Sequence, residues 1–509
     1  ASQPLIRSPT AAVAMDESER LSFKTKLLLA LGQSVEGIWI TVGGYYLNKF
    51  FLETCCIQPA LVGLIQLGVG LFDALNDTLI GALSDRTNTR WGRRRPWLLF
   101  GGPFLALAYF AVWYTLPLQT PQEWKMFYYT LAYMSVSVGL TSVRVQITAL
   151  LPELTKDYNE RMNASGFTVV GTNVIGLTFA VLHTMIVGTR HHPSGFMQSA
   201  GICSAAILIF TWAVFCGIKE RYVPPTNPIK PPGLLTELVL TARSKSFCYV
   251  TLMYLAGPTA VTLTQTNIAL FCKYVLKDES VLILLVPIVQ GTALLTIPLW
   301  VFLGNKTSKR HIYLVGGTLL AVSMAALNFV NSTEAAIALG VCIGISLAVP
   351  YLVPISMLPD VVEEDEERTG RRREGVLSGL FTTALKLSVT AGSVLTNLAL
   401  EQAGYVAPTS SCTDQAEVLE TAEPDVQPEA VVQVMRWLVG PIPACFVLFA
   451  MFAAWRFPIT PANHAERLAR QAQAAQAEKG MELPQGAGAG DLKTEAKQVC
   501  METSSKVVL

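Results

Sequence analysis

Two aspartates, Asp73 and Asp77, lie one helical turn apart in a stretch that is otherwise apolar enough to cross a membrane. Residues 61–84 contain no lysine or arginine, and the next basic residue is Arg86. A carboxylate at the centre of a membrane helix costs about 2.5–3.5 kcal/mol on insertion scales. Because two such charges on one helix are costly without a counterion, the pair predicts a binding site for a transported cation.

Asn76 lies between the two aspartates and adds a third polar group. Spacings of three and four residues place Asp73, Asn76 and Asp77 on one face of a helix. Two carboxylates and an amide carbonyl supply the oxygen ligands that a small hard cation prefers, and a proton can replace the metal ion. The alternative interpretation is that the residues line a cavity and hydrogen-bond to neighbours without binding an ion.

The composition indicates a membrane protein. The chain has 509 residues, of which 51% are hydrophobic and 15% charged, whereas soluble domains average about 25% charged. A net charge of +1 argues against a nucleic-acid-binding protein, and the ten cysteines form no metal-binding pattern. The sequence shows no nucleophile–base set or phosphate-binding loop, so an enzyme is not expected.

Twelve apolar runs are long enough to cross a ~30 Å hydrocarbon core as helices. Their approximate limits are 25–48, 59–83, 96–117, 124–151, 162–188, 196–218, 246–272, 279–303, 310–331, 334–358, 374–401 and 434–457. The proline-rich segment 219–245 separates the first six from the last six. Two halves of six helices predict an all-α membrane protein with the repeated architecture of the major facilitator fold.

Lysine and arginine are concentrated in alternate connections between these runs, so the positive-inside rule predicts that both termini are cytoplasmic. The chain then has five predicted parts. They are a cytoplasmic tail 1–24, a helical bundle 25–218, a cytoplasmic linker 219–245, a second bundle 246–458 and a largely disordered cytoplasmic tail 459–509.

Four motifs resemble those of the glycoside–pentoside–hexuronide cation symporters. They are DALND at 73–77, SDRTNTRWGRRRPW at 84–97, LLPELTKDYNER at 150–161 and LPDVVEEDEERTGRRREG at 358–375. The resemblance implies a symporter driven by Na⁺ or H⁺, with Asp73, Asn76 and Asp77 as cation ligands. It also implies that Thr141 adds a hydroxyl ligand from the fourth helix.

Lys386 is a single cation inside the predicted eleventh span and resembles a lysine that faces the central cavity in this family. A buried ammonium can pair with Asp73 or Asp77 while the cation is absent and be displaced when it binds, which would couple ion occupancy to conformation. The alternative is a lysine that extends toward the membrane surface from a helix end.

The residues expected to contact the solute depart from those of the sugar-transporting members. One of the family's two sugar-binding aspartates aligns near Gly37, with Glu36 beside it. The other aligns with Arg144, and a tryptophan that stacks on the sugar aligns with Thr148. A guanidinium suits a carboxylate or phosphate. A chain that keeps the cation ligands but lacks the sugar ligands resembles the sodium-dependent lysophosphatidylcholine symporters of the same family. Alternatively, Arg144 pairs with Glu36 and ties the first helix to the fourth.

The basic loop after the second span is expected to brace helix ends and to gate the cytoplasmic face, with Asp85, Arg86 and Arg93 as candidates. Alternatively, the basic residues of this loop only set the orientation of the neighbouring helices in the membrane. Asp360 is a further gate candidate because it follows Pro359 at a predicted helix end. Most of the charges between residues 363 and 373 are expected to belong to a solvated loop.

Cys412 lies in the acidic loop 402–433, which this topology places on the non-cytoplasmic side. Three other cysteines are expected near the same face, Cys55, Cys56 and Cys272. The sequence does not select a disulfide partner among them.

The sequence therefore predicts a multi-pass transporter of the plasma membrane or an endomembrane that acts as a monomer. It would bind the lipid bilayer, a coupling cation (Na⁺ or H⁺) and a small-molecule solute, with no other cofactor. A lysophospholipid or similar zwitterionic amphiphile is favoured over a sugar. A receptor or scaffold that has lost transport is the weaker alternative, since it would have little reason to keep the complete set of cation ligands.

Overall fold

A computed structural model describes most of the chain, and every regular element of the described residues is helical. The described residues are 20–87, 89–155, 158–188, 193–219, 240–241, 243–369, 373–408, 412 and 426–458. They divide into two compact units. One comprises the described residues within 1–228 and 405–426, and the other those within 229–404 and 427–509.

The first unit contains six long helices. They are α1 Phe23–Ile38, α2 Pro59–Arg86, α3 Arg95–Val112, α4 Gln122–Leu154, α5 Tyr158–Val187 and α6 Pro193–Gly217. The hydroxyl of Ser22 caps α1 by accepting a hydrogen bond from the backbone N–H of Thr25. Beyond Ile38 the same helix continues with the wider π-helical winding over Trp39–Leu47 and Phe50–Thr54.

The second unit contains the remaining helices. They are α7 Lys245–Tyr274, α8 Val281–Lys306, α9 Lys309–Leu327, α10 Thr333–Leu347, α11 Val349–Thr369, α12 Glu374–Gln402, α13 Glu429–Val439 and α14 Pro441–Arg456. The consecutive helices α10 and α11 correspond to one predicted span, and so do α13 and α14.

Eleven helices in the described part of the chain are long and apolar enough to cross a membrane. They correspond to eleven of the twelve predicted spans. The predicted eleventh span is present as α12, a helix of 29 residues. Its hydroxyl-bearing residues and Lys386 make it more polar than the others, so it falls outside the apolar set although it is long enough to cross.

Close packing in the first unit positions α1, α2 and α4. Helix α2 packs against α4, and α1 packs against α4, α5 and α6. A β-carbon on Gly37 would lie 2.2 Å from the carbonyl oxygen of Thr172 on α5, so the α1–α5 contact requires glycine at this position. Farther along the bundle, the rings of Phe50, Trp113 and Phe196 pack against one another. The centroids of Phe50 and Phe196 lie 5.1 and 5.9 Å from that of Trp113 and 4.9 Å from each other.

A disulfide joins Cys56, just after the π-helical end of the first helix, to Cys412. Of the three predicted partners, the other two, Cys55 and Cys272, are buried free cysteines. Cys55 donates a hydrogen bond to the hydroxyl of Tyr129 at 3.0 Å, and burial raises the pKa of its thiol to about 12. The disulfide joins Cys412 to the first unit, with which residues 405–408, 412 and 426 are grouped, although α12 and α13 belong to the second unit.

The Cys56–Cys412 disulfide predicts that the two halves stay covalently joined after the linker is cut. With a protease site inserted between residues 224 and 232, the cleaved protein should run as one species on a denaturing gel without reductant and as two species with it. Cys56→Ser and Cys412→Ser should release two fragments without reductant, whereas Cys55→Ser should behave like the wild type. Two fragments from the unreduced wild type would contradict the pairing.

Candidate cation and solute site

The predicted ligand face of α2 lies against α4. The hydroxyl of Thr141 donates a hydrogen bond to Oδ1 of Asp77 at 2.7 Å, and the hydroxyl of Ser137 donates to Oδ1 of Asp73. The side-chain amide of Asn76 donates to the backbone carbonyl of Ser137 at 3.2 Å. Both carboxylates therefore meet α4 through hydroxyl groups, one turn apart along each helix.

The amide and hydroxyl groups of the candidate site are buried, whereas its carboxylates are partly exposed. Asn76 and Thr141 are 3% and 2% exposed, whereas the side chain of Asp77 keeps 23% of its surface exposed and Asp73 is half-buried. The Asn76 amide nitrogen is used by Ser137, so its carbonyl oxygen is the atom that can act as a ligand. The site therefore combines a closed wall of hydroxyl and amide groups with carboxylates that remain accessible.

Arg144, one turn beyond Thr141 on α4, forms an ion pair with Asp77. Its Nη2 lies 2.6 Å from Oδ2 of Asp77, and its Nη1 lies 3.4 Å from Oε1 of Glu36 on α1. Oε2 of Glu36 in turn accepts a hydrogen bond from Gln33 at 2.7 Å. Arg144 thus connects three helices through two carboxylates.

Of the two interpretations of Arg144, the structure shows the contact with Glu36 that ties the first helix to the fourth. The stronger contact, with Asp77, was missed because the sequence does not show which side chains of α2 and α4 lie opposite one another. Thr148, the other predicted solute residue on α4, is exposed one turn farther along.

Ser137 is a site residue that the sequence analysis did not identify. Its hydroxyl contacts Asp73 and its carbonyl oxygen binds Asn76, so it serves the same face of α2 as Thr141 does. The spacing of polar residues along α4 indicates Ser137 as a member of the same face. Ser137, Thr141 and Arg144 follow one another at intervals of four and three, which places all three on one face of α4.

Lys386 lies on α12, in the second unit, and is half-buried. The hydroxyl of Thr390 donates to its backbone carbonyl at 2.9 Å, which is a contact within the helix. The pairing of its ammonium with Asp73 or Asp77 stays a prediction.

Two arginines at the end of the basic loop after α2 contact neighbouring helix ends, as predicted for the arginines of this loop. Buried Arg94 donates to the hydroxyl of Ser84 at 2.8 Å, and Arg95 donates to the backbone carbonyl of Phe215 on α6 at 2.7 Å. Arg86 is exposed and Arg93 is half-buried. The side chain of Asp85 lies outside the described part of the structure. The gating roles of Asp85, Arg86 and Arg93 stay predictions.

The second candidate gate residue, Asp360, lies inside α11 and pairs with Lys309 at the start of α9. The lysine Nζ lies 2.8 and 3.0 Å from the two carboxylate oxygens and also donates to the backbone carbonyl of Ser356 at 2.7 Å. Asp360 therefore connects α11 to α9, and its function as a gate stays a prediction.

The expectation of a mostly solvated loop between residues 363 and 373 is wrong for two of its charges. Helix α11 continues to Thr369, and Asp365 is buried in an ion pair with Arg373, whose Nη2 lies 2.7 Å from Oδ1 of Asp365. The two side chains are 0% and 5% exposed. Arg368 binds the same carboxylate at 2.9 Å from an exposed position. Residues 371 and 372 lie outside the described residues.

Arg373→Gln is predicted to lower the free energy of unfolding by about 3 kcal/mol, because it removes the buried partner of Asp365 and leaves the exposed Arg368 among the described residues. Arg368→Gln, the matched control, should cost about 1 kcal/mol or less. Thermal unfolding of the purified variants measures the difference. Equal unfolding midpoints for the two variants would show that the buried pair contributes no more than the exposed one.

The comparisons with known proteins cover nearly all of the chain. The sequence model described as MFS/sugar transport protein matches residues 29–461. An uncharacterized symporter from Synechocystis sp. is 28% identical over 90% of this chain and 98% of its own length. The sphingosine-1-phosphate transporter of Mus musculus is 28% identical over 85% of this chain and 88% of its own.

Sodium-dependent lysophosphatidylcholine symporter 1-B of Danio rerio is 24% identical to this chain, over 87% of this chain and 88% of its own length. Among solved structures, the nucleoside transporter NupG superposes with a TM-score of 0.61 at 12% identity, over 85% of this chain and 98% of its own. At that identity the likeness concerns the fold alone.

Proposed function

The chain belongs to the MFS/sugar transport family, and from that membership we propose that it couples the movement of Na⁺ or H⁺ to that of an organic solute. The predicted membership of the major facilitator superfamily and the predicted all-helical fold are confirmed. The protein is a multi-pass membrane transporter and not an enzyme. The coupling ion, the solute and the site residues are the subjects of the proposal.

The observation that carries the proposal is the convergence of α2 and α4 on two carboxylates. Asp73 and Asp77 each receive a hydroxyl from α4, and the Thr141 contact measures 2.7 Å. We assign Asp73, Asn76, Asp77 and Thr141 as the cation ligands. Carboxylate, amide and hydroxyl oxygens together suit a small hard cation. Na⁺ is favoured because a relative that aligns over 88% of its own length carries the name of a sodium-dependent symporter.

The favoured solute is a lysophospholipid or a similar zwitterionic amphiphile. Two relatives are named for sphingosine-1-phosphate and lysophosphatidylcholine, both of which contain a phosphate group. Arg144 provides a partly exposed guanidinium suited to such a group. A sugar remains the second candidate because the family description includes sugar transport. Against it, Arg144 replaces one of the carboxylates with which family members bind sugar hydroxyls.

The remaining features of transport follow from the same proposal. The protein operates by alternating access as a monomer, and Lys386 links cation occupancy to conformation. Both termini are cytoplasmic, in the plasma membrane or an endomembrane. The Cys56–Cys412 disulfide supports this orientation, since disulfides form in oxidising compartments and Cys56 follows the first span.

Thr141→Val is predicted to weaken Na⁺ binding about tenfold, because it removes a hydroxyl ligand of the ion at nearly constant volume, a loss of ~1.4 kcal/mol in binding free energy. The shift of the thermal unfolding midpoint with Na⁺ concentration, in place of choline, measures the affinity. Thr148→Val, on an exposed turn of the same helix, should leave the affinity unchanged.

Uptake into proteoliposomes tests the coupling directly. Lysophosphatidylcholine uptake should rise with an inward Na⁺ gradient and should be lost in Asp77→Asn. The proposal fails if uptake of lysolipids and sugars is indifferent to both Na⁺ and pH.

A further inference from the structure

We propose that Arg144 is a built-in competitor of the coupling cation, and that a zwitterionic solute releases it from Asp77. The anionic group of the solute would take the Arg144 guanidinium and its cationic group would take the Glu36 carboxylate. The inference rests on the proposed cation site and adds the residues that connect solute binding to it.

Asp77 divides its two carboxylate oxygens between different partners. Oδ1 accepts the Thr141 hydroxyl at 2.7 Å and Oδ2 accepts the Arg144 guanidinium at 2.6 Å. A cation bound by Asp77 would therefore lie next to a positive charge that already neutralises this carboxylate. Because like charges in a poorly solvated site repel, the cation and Arg144 cannot both bind Asp77 at full strength. Displacement of Arg144 from Asp77 therefore favours cation binding.

Glu36 gives Arg144 a second position to occupy. The distance between Arg144 Nη1 and Glu36 Oε1 is 3.4 Å, longer than the contact with Asp77, so the guanidinium is bound more closely at Asp77. Gln33 holds the other oxygen of Glu36 at 2.7 Å, which fixes that carboxylate on α1. Arg144 thus lies between Asp77, its closer partner, and Glu36, its more distant one. The anionic group of a solute bound beside Glu36 would draw the guanidinium away from Asp77.

The charges of the pair specify the class of solute. Arg144 and Glu36 have side chains that are 27% and 23% exposed, so both are accessible to a ligand. A solute that carries only an anion would satisfy Arg144 but would be repelled by Glu36. A solute with a phosphate and an ammonium replaces both halves of the Glu36–Arg144 pair at once and adds no net charge. The arrangement therefore selects a zwitterion over a simple anion or a neutral sugar.

The test measures Na⁺ affinity from thermal stabilisation in nanodiscs, with and without lysophosphatidylcholine below its micellar concentration. Monoacylglycerol with the same acyl chain serves as the uncharged control. In the wild type, lysophosphatidylcholine should raise the Na⁺ affinity about tenfold and monoacylglycerol should not, a coupling within the usual range for linked sites. By reciprocity, Na⁺ should raise the affinity for lysophosphatidylcholine by the same factor.

Three variants separate this role from a merely structural one. Arg144→Gln should bind Na⁺ more tightly than the wild type without solute and should lose the effect of lysophosphatidylcholine. Arg144→Lys, which keeps the charge, should retain the weaker Na⁺ binding. Arg90→Gln removes an exposed arginine that stacks on Trp91 and serves as the matched control, with wild-type behaviour.

Glu36→Gln tests recognition of the cationic group. The wild type should prefer lysophosphatidylcholine to lysophosphatidic acid, which lacks the ammonium, and the variant should lose that preference. Persistent coupling in Arg144→Gln, or equal Na⁺ affinity of the wild type with and without lysophosphatidylcholine, would overturn the inference while leaving the cation site intact. Failure of the wild type to bind Na⁺ under any condition would instead overturn the proposed function.

Discussion

A carboxylate among apolar helices has to be compensated by groups from a neighbouring helix, and this constraint organises the first bundle around Asp77. Its two oxygens receive a hydroxyl and a guanidinium from successive turns of α4. These contacts are possible only if α2 and α4 lie close together with one particular register. The glycine-dependent approach of α1 to α5 then sets the position from which Glu36 reaches Arg144. The contacts that hold these helices together are consequently the same contacts that form the candidate site.

The same rule governs the other charged groups within the bundles. Asp365 is buried and bound by two arginines, and Asp360 is bound by Lys309. Buried Lys125 donates to the backbone carbonyl of Cys55 at 2.9 Å. What distinguishes Asp73 and Asp77 is that their partners include small hydroxyl groups. The proposed cation would enter between these partly exposed carboxylates, whereas the Asp365–Arg373 pair is buried and has a structural role.

The sequence was sufficient for features that depend on local spacing. Hydrophobic run length predicted the helices, including polar α12, and the three- and four-residue spacing predicted the shared face of Asp73, Asn76 and Asp77. Features that depend on how helices lie against each other could not be predicted this way. The contacts of Ser137 with Asp73 and of Arg144 with Asp77 require the register of α2 on α4. Burial of Asp365 requires that α11 continue past Pro359, and an acidic run normally indicates solvent. The choice of Cys56 over Cys55 depends on how the chain turns after the first helix, where Cys55 is buried against Tyr129 and Cys56 has a positive φ of 55°.

The Cys56–Cys412 disulfide also constrains the order of events during biogenesis. Its two cysteines are separated by 356 residues, and the first eleven predicted spans precede Cys412. Cys56 is therefore synthesised early, and its partner exists only after most of the chain has been made. Throughout that period Cys56 is available to oxidoreductases and to incorrect partners. The disulfide can therefore close only after the first eleven predicted spans have been synthesised, while the last span still follows Cys412 in the sequence.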